Sequence, residues 1–457
     1  MLAVILVKAE GKVTGISGVS LPFHQKSRFQ RATLAAFICI IALNLNTAPV
    51  PGAKRDKTAA QGQELKLWHS LGTYNKDVFN SLLQSYNDEN RQSPVIGVFQ
   101  GNEEDLYYKL TTQESLPDIV QIPVQLLPPL AQKNLLADLT PLIPNRMRED
   151  ISKKYWDSVS ISGRIYGMPF SYNVSILFVN QHILRISGVP QDREPATWKE
   201  LAAAALQIKQ NTRDRWSLFI PMESATQFIP FVQSYTGKPV FQGDNIVVNS
   251  SGAVEAMAFL QDLVYSRNSM PPKITVEEGE GLFLSGNLGI MLASSSMLVY
   301  TESNLPYDLN VWRLPSQKSI TPSAAGTCLA IIRSNARRER EAFRFVEFLI
   351  SADNSIRWHT HTGSPAIRTS VKESLDLLVF YEVNPNHMAP AIELEKSRIF
   401  NPTLDLLRST GLPFDYLEFN RIVKKALQEI MINNQDPAKV LEQAQKEIDQ
   451  IKPKKTP

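Results

Sequence analysis

Between residues 64 and 122 the chain alternates short apolar runs with helical patterns, and this alternation limits its possible folds more than any other feature. Glu64-Leu-Lys-Leu-Trp-His alternates in the manner of a strand. Tyr74 to Tyr86 follows, with Phe79, Leu82, Leu83 and Tyr86 on one helical face. Val95-Ile-Gly-Val-Phe reads as a second strand, Glu103 to Glu114 as a second helix, and Pro117-Asp-Ile-Val-Gln-Ile as a third strand. Strands that alternate with helices return through right-handed crossovers, so this stretch calls for a mainly parallel sheet.

The pattern then changes. Residues 163 to 180 read as a hairpin-like pair followed by a long strand with a polar centre. A second α/β stretch runs from Trp198 to about Leu314 and contains a well-patterned helix over Ala253 to Val264. Thr327-Cys-Leu-Ala-Ile-Ile and the helix Arg338 to Leu349 return to the first style, and the last hundred residues are mostly helical, most clearly Phe419 to Met431 and Pro437 to Ile451. At 457 residues the chain is too long for one ordinary core. Two α/β units joined by extended strands instead of one linker describe two lobes that the chain crosses more than once. Such lobes can hinge, and the cleft between them is a preferred place for a small ligand.

Composition is that of a globular chain, 43% hydrophobic and 20% charged, with a net charge of +3 and no basic stripe, so charge gives no support to nucleic-acid binding. Near the N-terminus Lys26, Arg28 and Arg31 precede an apolar run from Ala32 to Leu43, which gives way to Asn44 and Asn46. This order is the grammar of a secretory signal, with an apolar run of roughly 12 residues where a membrane span needs about 20. The expected location is periplasmic, the alternative being an uncleaved anchor. Of two cysteines, Cys39 lies in the apolar run, so Cys328 has no intramolecular partner in the exported chain.

A buried-looking strand, Gly289-Ile-Met-Leu-Ala, runs directly into Ser294-Ser295-Ser296. Serines are good N-caps, and hydroxyls at a helix start bind ligand oxygens, phosphate included; a plain helix cap is the alternative.

Several segments in order resemble the periplasmic solute-binding proteins of ABC importers, the group that contains maltose-binding protein, and most of all its glycerol-3-phosphate-binding members. They are Leu67-Trp-His-Ser, Gln100-Gly-Asn, Tyr166-Gly-Met-Pro-Phe, Thr197-Trp-Lys-Glu-Leu, Phe283-Leu-Ser-Gly-Asn-Leu-Gly-Ile-Met with the three serines, Ala325-Gly-Thr, Trp358-His-Thr-His-Thr-Gly and Phe380-Tyr-Glu-Val-Asn-Pro. The resemblance covers residues 64 to 450. It implies a two-lobe α/β periplasmic-binding-protein fold of type II-like topology, with hinge strands and a helical C-terminal portion. The expected division is an extension and signal at 1–52, a linker at 53–63, an N-lobe from 64–172 plus 326–355, and a C-lobe from 173–325 plus 356–452.

The resemblance also implies site residues. Arg421, Gly326 and the turn at Ser294 and Ser295 match ligand-contacting positions, and the strand before the serines is expected to end at the cleft with the first helical amides facing the ligand. Other contact positions depart: Glu103 replaces a tyrosine, Val124 a glutamate, Asn173 a serine and Ser364 a tyrosine. Trp68 and Tyr172 offer flat faces to a sugar ring, with core packing as the alternative, and His69 is the one histidine expected in the cleft, a structural role being the alternative. A guanidinium pairs with phosphate or with vicinal hydroxyls, whereas a carboxylate at Glu103 repels phosphate and accepts from polyol hydroxyls. Both a neutral glycoside such as glucosylglycerol and glycerol-3-phosphate therefore stay open, the former favoured.

His359 and His361 are alternate residues of a helical segment that point apart, so no metal and no cofactor is expected. The competing class, a secreted glycan-active enzyme, needs paired carboxylates, for which Glu103 with Glu104 or Glu223 are the candidates. The expected partners are a small sugar or polyol ligand and the permease subunits of an ABC transporter with its ATPase, and the expected state is a monomer.

Overall fold

The computed structural model describes residues 64–452 apart from 213, 244 and 316–321. The signal and linker expected before residue 64 lie outside the described residues, which form one compact unit. Among the described residues no helix is long and apolar enough to cross a membrane.

The N-terminal alternation forms as expected. Strand β1 (Leu65–His69), helix α1 (Thr73–Glu89), β2 (Val95–Phe99), α2 (Glu103–Thr112) and β3 (Ile119–Pro123) follow one another, and β1 pairs in parallel with both β2 and β3. Helix α1 buries Phe79, Leu82, Leu83 and Tyr86, the stripe that its spacing specifies. Helix α2 starts sharply because Asn102 and Asp105 form a reciprocal capping box.

The polar-centred run becomes a 13-residue strand, β4 (Met168–Asn180), and this strand carries the architecture. The remaining strands of the main sheet are β5 (Trp216–Phe219), β6 (Leu288–Ser294), β7 (Leu309–Trp312), β8 (Ser323–Ile331) and β9 (Arg398–Ile399). Together they make a nine-stranded mixed sheet of order β2-β1-β3-β8-β4-β6-β5, with β7 on β4 and β9 on β8. The first half of β4 pairs with β8 and the second half with β6 and β7. One strand therefore belongs to both halves of the sheet, and its polar centre falls where they meet.

Two hydrophobic cores pack against the sheet. The first gathers Leu65, Phe79, Ile122, Phe345 and Trp358, and the second Trp198, Phe231, Met257, Phe419 and Ile448. Helices α3 (Ala225–Thr236), α4 (Val276–Leu284), α5 (Ala336–Leu349), α6 (Ala352–Thr362), α7 (Tyr416–Met431) and α8 (Pro437–Ile451) cover them. Helix α6 packs on α1 and on the helix Leu298–Asn304, so it touches both expected lobes, and Phe400 and the residues of α7 and α8 join the second core.

Candidate ligand-binding cleft

At the junction of the two halves, β4 and its neighbours lay down a row of small, mostly polar residues. In the cross-strand register Ala325 stands opposite Asn173, and Ser294 opposite Ser175. Side chains alternate along a strand, so these four share one face while Tyr172 and its partner Gly326 share the other. The polar face is the floor of two adjoining cavities. The larger, of about 420 Å³, reaches to α2 and α7 through Glu103, Glu104, Tyr416, Asn420 and Lys424. The smaller, of about 230 Å³, is walled by Phe219, Val276, Glu280, Met291 and Met297. Asn173, Thr226, Ser294 and Ala325 line both.

The serine turn is local geometry put to use. Ser294 Oγ accepts from the Ser296 amide (3.3 Å), which starts the short turn Ser295–Met297. Ser295 is buried; its hydroxyl donates to Asn173 Oδ1 (3.2 Å) and accepts from the Val174 amide (3.2 Å), clamping the end of β6 to the centre of β4. Ser294 thus faces the cavities and Ser295 is a staple behind them. This turn runs directly into the helix Leu298–Asn304, so the serines open a continuous helical segment capped by Ser294.

Of the other expected site residues, Glu103 and Gly326 also line the larger cavity. The rest lie elsewhere. Trp68 packs in the first core, and His69 is buried with its ring 4.9 Å from Phe79; burial, then the charge of Lys76, lowers its pKa to about 4, so it stays neutral. Tyr172 is fully buried, its hydroxyl 2.8 Å from Ser158 Oγ and its ring directly beneath Gly326, where a Cβ would come within 2.3 Å of Cε1. That ring is the reason position 326 takes glycine. Glu223 accepts from the Val276 amide at the start of α4 (3.0 Å) and lines a separate cavity. Ser364 is buried beside Phe170 and Trp358, its carbonyl bonded to His359 Nδ1 (2.9 Å). Arg421 is exposed and pairs with Glu418 on its own helix (2.5 Å). One residue is 100° of helix, and Asn420 and Lys424 take the inward face in its place. His359 is buried and His361 exposed, and no cluster of potential metal ligands occurs among the described residues.

Sequence reasoning missed Gln125, Thr226, Tyr416, Asn420 and Lys424, all on the cavity wall. Tyr416, Asn420 and Lys424 recur every four residues, a polar-tipped stripe that could have been read beside the apolar one.

The larger cavity is rich in acceptors. Glu103 makes no hydrogen bond or ion pair with the described residues. It is exposed to the cavity; the desolvation imposed by the surrounding protein, then the like charge of Glu104, raises its carboxyl to about 7. Gln125, 2% exposed, donates its amide to the Phe400 carbonyl (3.1 Å), which leaves Oε1 without a partner. The hydroxyl of Tyr416, 8% exposed, is likewise unpartnered, and burial, then the charge of Glu103, raises its pKa. Among the described residues of this wall Lys424 is the one cation.

Side-chain bridges join helices across the cleft. Asn420 Nδ2 on α7 donates to Glu104 on α2 (3.2 Å), and Tyr74 on α1 donates to Glu280 on α4, with its ring edge-on to Tyr300 at 4.9 Å. Removing the second donor by Tyr74→Phe is expected to speed release of bound solute about tenfold, ~1.4 kcal/mol, with association unchanged. An unchanged dissociation rate in stopped-flow would mean that packing alone joins these helices.

The profile of the bacterial extracellular solute-binding protein family matches residues 81–389, most of the chain. The chain belongs to this family. Among curated solute-binding relatives, the sn-glycerol-3-phosphate-binding periplasmic protein UgpB of Salmonella typhimurium is 24% identical over 420 residues, covering 83% of this chain and 90% of the relative. Among solved structures, UgpB of Mycobacterium tuberculosis in complex with glycerophosphocholine superposes with a TM-score of 0.75 at 17% identity, covering 85% of this chain and 98% of that one. The GacH receptor of Streptomyces glaucescens, solved unliganded and with acarbose, gives 0.74 at 16% over the same shares. The two-lobe fold of these solute-binding proteins is therefore that of this chain. Solute-binding proteins of this kind capture small molecules outside the cytoplasm and deliver them to ABC permeases.

Proposed function

We propose that the protein captures a small hydroxyl-rich solute, a glycoside or polyol-linked sugar such as glucosylglycerol, between its lobes and presents it to a permease pair driven by an ATPase. One observation carries the choice of ligand. The larger cavity offers the unpaired Glu103 carboxylate, Glu104 and the free Gln125 oxygen against the single ammonium of Lys424. Hydroxyls donate to such acceptors, whereas a phosphate brings only acceptors and like charge. The volume falls within the roughly 300–1,000 Å³ usual for small-ligand sites. Glycerol-3-phosphate is the second reading, favoured by the curated relatives' names and by Lys424 with the hydroxyls of Thr226 and Ser294.

Binding without turnover is supported by how the acidic residues are used. Glu103 and Glu104 are consecutive on one helical turn and Glu223 is bonded to the Val276 amide, so this set does not flank a glycosidic bond from two sides.

A thermal-shift and calorimetric screen of the purified protein against glucosylglycerol, sucrose, trehalose, maltose and glycerol-3-phosphate tests the reading. A true ligand at a hundredfold excess over its Kd stabilises by about 2.7 kcal/mol. The expected result is a neutral glycoside among the hits, recovered chemically unchanged. A shift with glycerol-3-phosphate alone would replace this reading by the second, and recovery of hydrolysed sugar would make the protein an enzyme.

A further inference from the structure

Resting on that reading, we propose that the larger cavity selects, among glycosides and polyols, those that carry a protonated amine, held by Glu103, Gln125 and Tyr416. Three separate elements supply these residues: the first turn of α2, the segment after β3, and the first turn of α7. Each brings a polar atom that the described protein leaves without a partner. The Glu103 carboxylate is unpaired, and Gln125 Oε1 and the Tyr416 hydroxyl are orphans on side chains more than nine-tenths buried.

The type of these atoms decides what they receive. A carboxylate and an amide oxygen only accept, and a phenol accepts as well as donates. An ammonium has three donors and no acceptor, so it matches such a set without leaving a lone pair facing another lone pair. A single hydroxyl brings one donor and turns its own lone pairs toward the remaining acceptors. Charge points the same way. Glu103 faces Glu104 on its own helix and Lys424 and Tyr416 on α7, while the strand wall contributes only uncharged residues such as Thr327. Two carboxylates against one ammonium leave the wall negative. A carboxylate beside a second carboxylate and without a counter-ion is unfavourable, as the raised pKa of Glu103 reflects. A ligand cation offsets that cost and returns Glu103 to its ionised form, so binding near neutral pH releases protons.

The test uses matched pairs on the full chain, trehalose against 2-amino-2-deoxytrehalose and methyl glucoside against methyl 2-amino-2-deoxyglucoside, at about pH 6.5, where both the amine and part of the Glu103 population are protonated. The amine member of a pair is expected to bind at least about tenfold more tightly, as charge-assisted bonds do relative to neutral ones. Calorimetry in two buffers of different ionisation enthalpy is expected to show proton release. In Glu103→Gln the ratio of amine to neutral affinity should fall to near one, with Gln125→Leu lowering it less. Equal affinity within both pairs, or a preference that survives in Glu103→Gln, overturns the inference. If neither pair binds while glucosylglycerol or sucrose does, the inference fails and the glycoside reading stands; if no hydroxylated probe binds, both fail.

Discussion

Ala325→Trp is expected to lower solute affinity by at least about a hundredfold while leaving the unliganded protein as stable as before, because a clash built into a site acts on the ligand alone. Ala325 sits on β8, is exposed to the cleft, and lines both cavities together with Asn173, Thr226 and Ser294. An indole at that point stands on the shared floor and projects into the space where the cavities adjoin. Since its Cβ already faces open space, nothing in either core has to move. Calorimetry with whichever probe stabilises the natural protein, beside a denaturation curve of the free variant, separates the two effects. Affinity kept within tenfold would place the binding site elsewhere.

One residue further along the strand the expectation reverses. Gly326→Val should destabilise the protein by about 3 kcal/mol, the upper range for overpacking a filled core. Its side chain would enter the face of the sheet occupied by Tyr172, where even a Cβ lies 2.3 Å from the ring. The ring cannot turn aside freely, since its hydroxyl is bonded to Ser158 and it packs on Tyr155 at a centroid distance of 4.7 Å. Urea denaturation reads this directly, as a lower midpoint with an unchanged slope. A midpoint equal to that of the parent would show that Tyr172 has another resting place and that the glycine is dispensable. The contrast between neighbours is the pleat of a strand made measurable.

The same pleat explains which site residues were legible. The order of strands and helices from 64 to 122 follows from apolar spacing, and the polar centre of Met168–Asn180 announced a strand that crosses a wet boundary. Glu103, Asn173, Ser294 and Gly326 share one cavity wall. For Tyr172 a ring-stacking face and core packing were both open, and the pleat turns it into the core, whereas one step of helix turns Arg421, matched by resemblance, to solvent. Gln125 was passed over because a lone polar residue inside Pro123-Val-Gln-Leu-Leu looks like an interruption, and its significance depends on Phe400, far along the chain, which occupies its amide.

Local periodicity therefore dictated the α/β order, the amphipathic faces and the presence of a polar crossing strand, since these depend only on neighbours in sequence and on the 2.0 and 3.6 repeats of strand and helix. Which buried face meets a core and which meets a cavity is a different kind of fact. It was settled when β4 paired with β8 on one half and β6 on the other and when α7 turned Tyr416, Asn420 and Lys424 inward, because a cavity is bounded by residues some 300 positions apart whose convergence no local repeat encodes.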